Sequence, residues 1–278
     1  NRVSYADAAV AQRREPEEQR ERDYYYTYGV VREQIPSNVL KGTGIQPERP
    51  PFLIPCGTVF AVVSKLEGLP FHSSERDAEL REPARKREYK REHIRVLEAI
   101  SSAGYTVVPR PYGTIAASED KIMRAVTAQS ASFEAALERL NGRREWSVQL
   151  FKTQNPHVEE VRPLAGLYAS GDSYARLYDA GLEAAPSGEE EVEESGLVAV
   201  IKRSIYNALL AVAADATMNA TYGARTEKGL MVLNAAYLVD VEHEDSFLET
   251  AARLNERQKS LGFALVCSGP RVPLSFWQ

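Results

Sequence analysis

The sequence predicts an α+β protein of two domains. The first is a ferredoxin-like unit, β-β-α-β-α-β, over residues 24–152; the second is a smaller, helix-rich α+β unit over residues 153–278. Three observations lead there. Apolar residues recur with strand and helix periods in that order through the first half. A strand, a helix and a strand close the second half. The length of 278 residues suits one large domain or two ordinary ones. Residues 1–23 are polar, end in RREPEEQRERD and read as a charged N-terminal arm.

The elements follow from local chemistry. YYYTYGVV, Tyr24 to Val31, is aromatic and β-branched, which favours a strand. Pro36, the Gly42–Gly44 pair and Pro47, Pro50 and Pro51 mark a loop. FLIPCGTVFAVVSKL reads as one bent strand or two, because Pro55 cannot donate to a central ladder. Residues 84–103 form a helix with Tyr89, His93, Val96, Leu97 and Ile100 on one face, ended by Gly104. After the strand YTVVPRPYGT, Ser118 is an N-cap with Glu119 and Asp120 in the first turn. The helix it opens carries Ile122, Val126, Phe133, Leu137 and Leu140, a face interrupted by Gln129. EWSVQLF is a strand with Trp146, Val148 and Leu150 on one side. That order suits an antiparallel sheet with two helices on one face.

In the second half, helices are expected over about 159–180 and 195–221, separated by the acidic loop APSGEEEVEES. KGLMVLNAAYLVD follows. Met231, Leu233, Ala235 and Tyr237 alternate with Val232, Asn234, Ala236 and Leu238, and both sets are mostly apolar. That pattern predicts a central strand covered on both faces, with Asn234 as a bonded interior amide. A helix over 245–261, with Phe247, Ala251, Leu254, Gln258 and Leu261 on its stripe, and the strand FALVCSGP complete the chain.

Composition excludes several functions. A net charge of -5 argues against general nucleic-acid binding, which needs a basic face. The basic run from Arg81 to Arg91 is laced with Glu79, Glu82, Glu88 and Glu92 and reads as a solvated helix face. No membrane span is expected: the most apolar run is bounded by Lys228 and Asp240, short of the about 20 residues a crossing helix needs. Cys56 and Cys267 lie in apolar strands and read as buried hydrophobes in a reducing, cytoplasmic setting without a secretory leader. Scattered histidines and the lack of C-x-x-C argue against a metal site.

No catalytic or cofactor-binding residues emerge. SGDSY lacks the nucleophile-elbow frame, and KGTGIQ follows no strand and opens no helix. His93, on an apolar helix face, reads as a core histidine bonded to backbone; a catalytic role would need a carboxylate beside it. Three residues are candidates for docking a partner: Arg110 and Tyr112, in a turn stiffened by Pro109 and Pro111, and Trp146 on its strand. For Arg110 a buried ion pair or simple stacking is the competing role.

The ordered set HIRVLEAI, TVVPRPYGTIAASEDKI, LERLNGRREWSVQLF, MVLNAAYLVD and GPRVPLSF resembles the gas vesicle protein F/L family over residues 24–278. Family members usually carry Leu-Arg-Phe before Gly-Thr, where this chain has Arg110, Pro111 and Tyr112, and an aromatic ending where it has Arg271 to Leu274. The resemblance implies two domains, each related to a ferredoxin-like arrangement. It also implies an accessory or minor structural protein of gas vesicle assembly, without cofactor and not an enzyme. The implied partners are the hydrophobic major shell protein, held in a chaperone-like or nucleating role, and other accessory proteins; the implied location is the gas vesicle in the cytoplasm. The alternative is a small-molecule-binding regulatory module on a ferredoxin-like fold.

Overall fold

The computed structural model describes residues 24–67, 83–153, 196–219, 225–226 and 228–277. The expected helix at 159–180, the acidic loop and the N-terminal arm lie outside these residues. Among the described residues ten strands form two antiparallel sheets. The first joins β1 (Tyr24–Val31), β2 (Phe52–Cys56), β3 (Val59–Leu66), β4 (Val107–Pro109) and β5 (Ile115–Ala116) in the order β2-β3-β1-β4, with β5 also on β1. The second joins β6 (Arg143–Lys152), β7 (Asp215–Met218), β8 (Arg225–Thr226), β9 (Gly229–Asp240) and β10 (Phe263–Arg271) in the order β10-β6-β9-β7, with β8 also on β9.

The described helices are α1 (Ser37–Leu40), α2 (Pro83–Ser102), α3 (Glu119–Thr127), α4 (Ser130–Leu140), α5 (Gly196–Leu210) and α6 (Glu244–Lys259). They sort into three apolar clusters. One face of the first sheet packs on α1 and α2 through Tyr26, Tyr28, Val96, Leu97 and Ile100. Its other face meets Ile122 and Val126 of α3 and Phe133, Leu137 and Leu140 of α4. That same middle cluster takes in Ala236 and Leu238 of β9, so it is shared by both sheets. The far face of the second sheet packs on α5 and α6 through Leu233, Ala235, Tyr237, Ile205 and Phe247.

The α+β class is as expected, and the parts are distributed differently within it. The strand EWSVQLF, placed at the end of the first unit by its position in sequence, pairs instead with β9 and β10. The division between sheets therefore falls between α4 and β6, ahead of residue 152. The reason is burial: β6 is covered on both faces from Glu145 to Phe151, which requires neighbours on either side. The helices of the first half likewise divide between two faces, because β1 has apolar side chains on both.

A β-bulge makes that division possible. The register of β1 on β3 slips between Thr27 and Gly29, leaving Tyr28 as the extra residue. Tyr26, Tyr28 and Val31 then share the α2 face, while Tyr25 and Val30 share the other. Gly29 sits where β4 approaches closely: a Cβ there would lie 2.7 Å from Val107 Cγ2 and 2.9 Å from the Val108 carbonyl.

Two helices also differ from their sequence patterns. The helix from Ser118 breaks at Gln129 into α3 and α4. The break turns Gln129 out to solvent while both apolar faces stay buried. Ser118 caps α3 as expected, its Oγ accepting from the Lys121 N–H at 3.3 Å. α5 stops at Leu210 although alanines follow, because residues 215–218 pair with Leu238 to Ala235 of β9. A buried central strand needs partners on both edges, and that requirement overrides helix propensity. β9 is the central strand predicted, flanked by β6 and β7 and buried on both faces from Ala235 to Val239.

Gly29→Ala is expected to lower stability by about 1–3 kcal/mol, because the methyl meets backbone as well as a movable side chain. A shift of the urea midpoint at unchanged slope measures it; an unaltered midpoint contradicts the close approach.

Candidate functional site

The turn after β4 is fixed from below. Arg110 N–H donates to the Tyr28 carbonyl at 2.8 Å, and Thr27 N–H donates to the Thr114 carbonyl at 2.9 Å. Within the turn, the Thr114 hydroxyl donates to the Pro111 carbonyl at 2.6 Å. Gly113 N–H donates to the Tyr26 hydroxyl at 3.1 Å. The turn is thus held by β1 at both ends and by one buried phenol at its centre.

That phenol leads to His93. Tyr26 Oη lies 2.9 Å from His93 Nδ1. The imidazole is buried, and the Arg110 carbonyl takes its other hydrogen bond. With the ring donating to that carbonyl, its remaining nitrogen accepts the Tyr26 proton. Burial pulls the imidazole pKa down to about 4, partly offset by the carbonyl, so His93 is neutral at ordinary pH. Tyr28 and Tyr112 complete the aromatic surround, with ring centroids 5.7 Å and 6.2 Å from the imidazole. The Tyr28 hydroxyl meets Ser64 Oγ at 3.0 Å and accepts from Ile45 N–H at 2.9 Å. Burial raises that phenol to about 12.

A second network joins the turn to the second sheet. Glu145 is buried, and its carboxylate accepts from Ser275 N–H at 2.8 Å and from the Ser275 hydroxyl at 3.0 Å. Burial raises its pKa, while the Ser275 and Leu274 N–H groups and the nearby Arg271 oppose the rise. Phe276 enters the middle cluster. The Arg110 guanidinium lies over the Trp277 ring at 5.9 Å and over the Phe133 ring at 5.7 Å. Two cation–π contacts thus tie α4, the turn and the segment after β10 together.

The three docking candidates are placed as follows. Arg110 is half-buried and stacks within its own chain. Tyr112 is half-buried beside His93 and Tyr26. Trp146 is only 4% exposed; its indole N–H donates to Glu244 at 3.0 Å and its ring packs on Phe247. It has little surface to offer a partner. Glu145, Ser275 and Phe276 lie within EWSV and PLSF and Trp277 directly follows, yet none of them stands out as a site residue in the sequence. Nothing local links residues 130 positions apart.

The chemistry of the site is that of a packed junction. The imidazole contacts a phenol and a carbonyl, with no carboxylate beside it among its bonded partners. A cleft of about 170 Å³ is lined by Tyr105, Thr106, Asn141, Arg143 and Val272 and does not include His93. Two of its guanidiniums are already paired, Arg143 with its cross-strand neighbour Asp240 at 2.9 Å and Arg144 with Glu244 of α6 at 3.6 Å. Burial lifts the Cys267 thiol to about 12, so it is unionised at neutral pH. Among the described residues no three His, Cys, Asp or Glu side chains gather as a metal set, and no helix is long and apolar enough to cross a membrane.

Fold and junction together define a two-sheet α+β protein whose invested polar groups hold its parts in register. Comparison with known proteins then gives the family. The model of the gas vesicle synthesis protein GvpL/GvpF family matches residues 24–278, and the chain belongs to that family. It is 28% identical over 231 residues to gas vesicle protein L of Streptomyces sp. (strain CB03234), spanning 82% of this chain and 83% of that protein. In fold it is similar to the crystal structure of GvpF from Anabaena sp. PCC7120, with a TM-score of 0.63 and 18% identity, over 92% of this chain and 96% of that one. GvpF from Microcystis aeruginosa is similar too, with a TM-score of 0.61 and 20% identity, over 92% and 99%.

The buried imidazole makes stability depend on pH with a definite sign. Its folded pKa, about 4, lies below the unfolded 6.5. The unfolded chain therefore binds the extra proton between those values, and stability falls as pH drops through that window. The loss attributable to His93 reaches about 3 kcal/mol near pH 4 and vanishes above pH 6.5. Denaturant titrations of the parent and His93→Phe measure it as a difference curve, which removes the opposing contribution of Glu145. A flat difference between pH 7 and 4 contradicts the assignment.

Proposed function

We propose that the chain is an accessory protein that binds the hydrophobic major shell protein and delivers it, in a chaperone-like or nucleating role, to the growing gas vesicle. The family match over residues 24–278 carries this reading, and it supports involvement in gas vesicle assembly directly. The family is one of gas vesicle proteins and not of known enzymes.

Physical chemistry supports the finer step. A shell subunit with a gas-facing apolar surface aggregates unless that surface is covered before assembly. The chain has apolar side chains to offer. Leu197 and Val200, one helical turn apart on α5, are 59% and 66% exposed, and Met218 on the edge strand β7 is 56% exposed. Net charge of -5 would keep a complex with an apolar partner dispersed. Other accessory proteins of the vesicle are further partners in this reading, and the vesicle is its place of action. The small-molecule alternative draws no support from His93, whose ring is packed and bonded away from the cleft.

The test is retention of the purified shell protein on the immobilised chain, with the Leu197→Glu, Val200→Glu double variant beside it. The parent is expected to retain the shell protein and the variant to lose about tenfold or more in affinity, the cost of placing two charges against an apolar partner. No retention by the folded parent overturns the direct-binding reading. Full retention by the folded variant moves the contact away from α5.

A further inference from the structure

Residues Val272–Trp277 are held as a bound peptide is held. Arg271 pairs with Glu145 at the end of β10, and beyond it no described strand pairs with the segment. Its backbone is fixed by its own turn, Leu274 N–H to the Val272 carbonyl at 2.8 Å, and by the Glu145 carboxylate on Ser275. Its side chains enter two clusters. Val272 lies in the α2 cluster and Phe276 in the middle cluster, against which Trp277 also packs beside Arg110. Side chains in pockets with a few backbone bonds to a fixed polar anchor are the way extended peptides dock on folded proteins. A laddered strand leaves only with its sheet, whereas a pocket-held segment can open by itself.

We propose that the groove between the two sheets is a recognition site for an extended apolar–aromatic segment of a partner protein, and that residues 272–277 are the internal ligand for which it is exchanged. The groove dictates the ligand's chemistry. Both Glu145 oxygens accept, one from an N–H and one from a hydroxyl, so the central residue is Ser or Thr and never Asp or Glu. The next residue is a large apolar one, in the place of Phe276. The Arg110 guanidinium, already on Phe133, selects an aromatic ring after that. An empty groove would take from a buried carboxylate both bonds it receives from Ser275, so the site passes from one occupant to another and does not stand open.

The probe is a fluorescent peptide of residues 271–278, RVPLSFWQ, titrated into the intact chain and into the Phe276→Ala, Trp277→Ala double variant. The variant is expected to bind it saturably and about tenfold or more tighter than the intact chain, which keeps its groove filled. A peptide with Asp in place of the serine is expected to bind about tenfold weaker. Equal binding by both folded proteins, or none by the folded variant, overturns the proposal. Where the variant fails to melt cooperatively, amide exchange on the intact chain decides. Exchange of the Ser275 N–H about tenfold or more faster than the β9 amides supports separate release; exchange in step with β9 overturns it. A dimer of the intact chain with the segment traded between copies would assign the groove to a second copy and overturn the partner assignment.

Discussion

Everything in the structure depends on a single apolar cluster that two sheets must share. Tyr25 and Val30 of β1, Phe133 and Leu137 of α4, and Ala236 and Leu238 of β9 lie together in it. Neither sheet can bury its inner face without the other, so the halves of the chain are coupled through hydrophobic contact before any polar group is considered. Arg139 of α4 with Asp215 of β7, at 3.2 Å, then ties the halves at the margin of that contact, while Arg143 with Asp240 fixes β6 on β9. Their half-exposed positions make them registration devices more than sources of stability.

The polar groups inside the junction are costly to bury and are bonded accordingly. Glu145 and His93 perform similar tasks at different places. Glu145 receives the segment after β10, and His93 with Tyr26 supports the turn after β4. Arg110 lies where these meet, its carbonyl on the imidazole and its guanidinium over the rings of Phe133 and Trp277. Such satisfied networks specify one arrangement of a core that apolar packing alone would leave less unique. The quiet acid–base chemistry of the site has the same origin, since each titratable group is desolvated into its neutral form or engaged by donors.

For a family of gas vesicle proteins this economy is sensible. A surface holds its side chains in place only when the scaffold behind it is rigid. The exposed leucine and valine of α5 stand on a helix packed on the second sheet through buried Val198, Ile201, Ile205 and Leu209.

The sequence alone determined what short-range physics controls. Strand period marked β1, β6 and β9, helical period marked α2 and α6, the oxygen of Ser118 marked a helix start, and the ordered motifs marked the family. It placed His93 in the core, bonded to backbone, because an apolar helix face demands it. Which sheet a strand joins was not legible, since β6 reads the same beside β4 as beside β9. Only burial on both its faces decided the matter. The bulge at Tyr28, the break at Gln129 and the end of α5 at Leu210 were likewise set by neighbours distant in sequence. The site shows the contrast most clearly. Arg110 was visible as a stiffened, chemically capable residue, but its partners Phe133 and Trp277, and the grip of Glu145 on Ser275, exist only once tertiary folding brings far segments together. Local pattern records what each residue prefers, and the three-dimensional core decides which preferences are met.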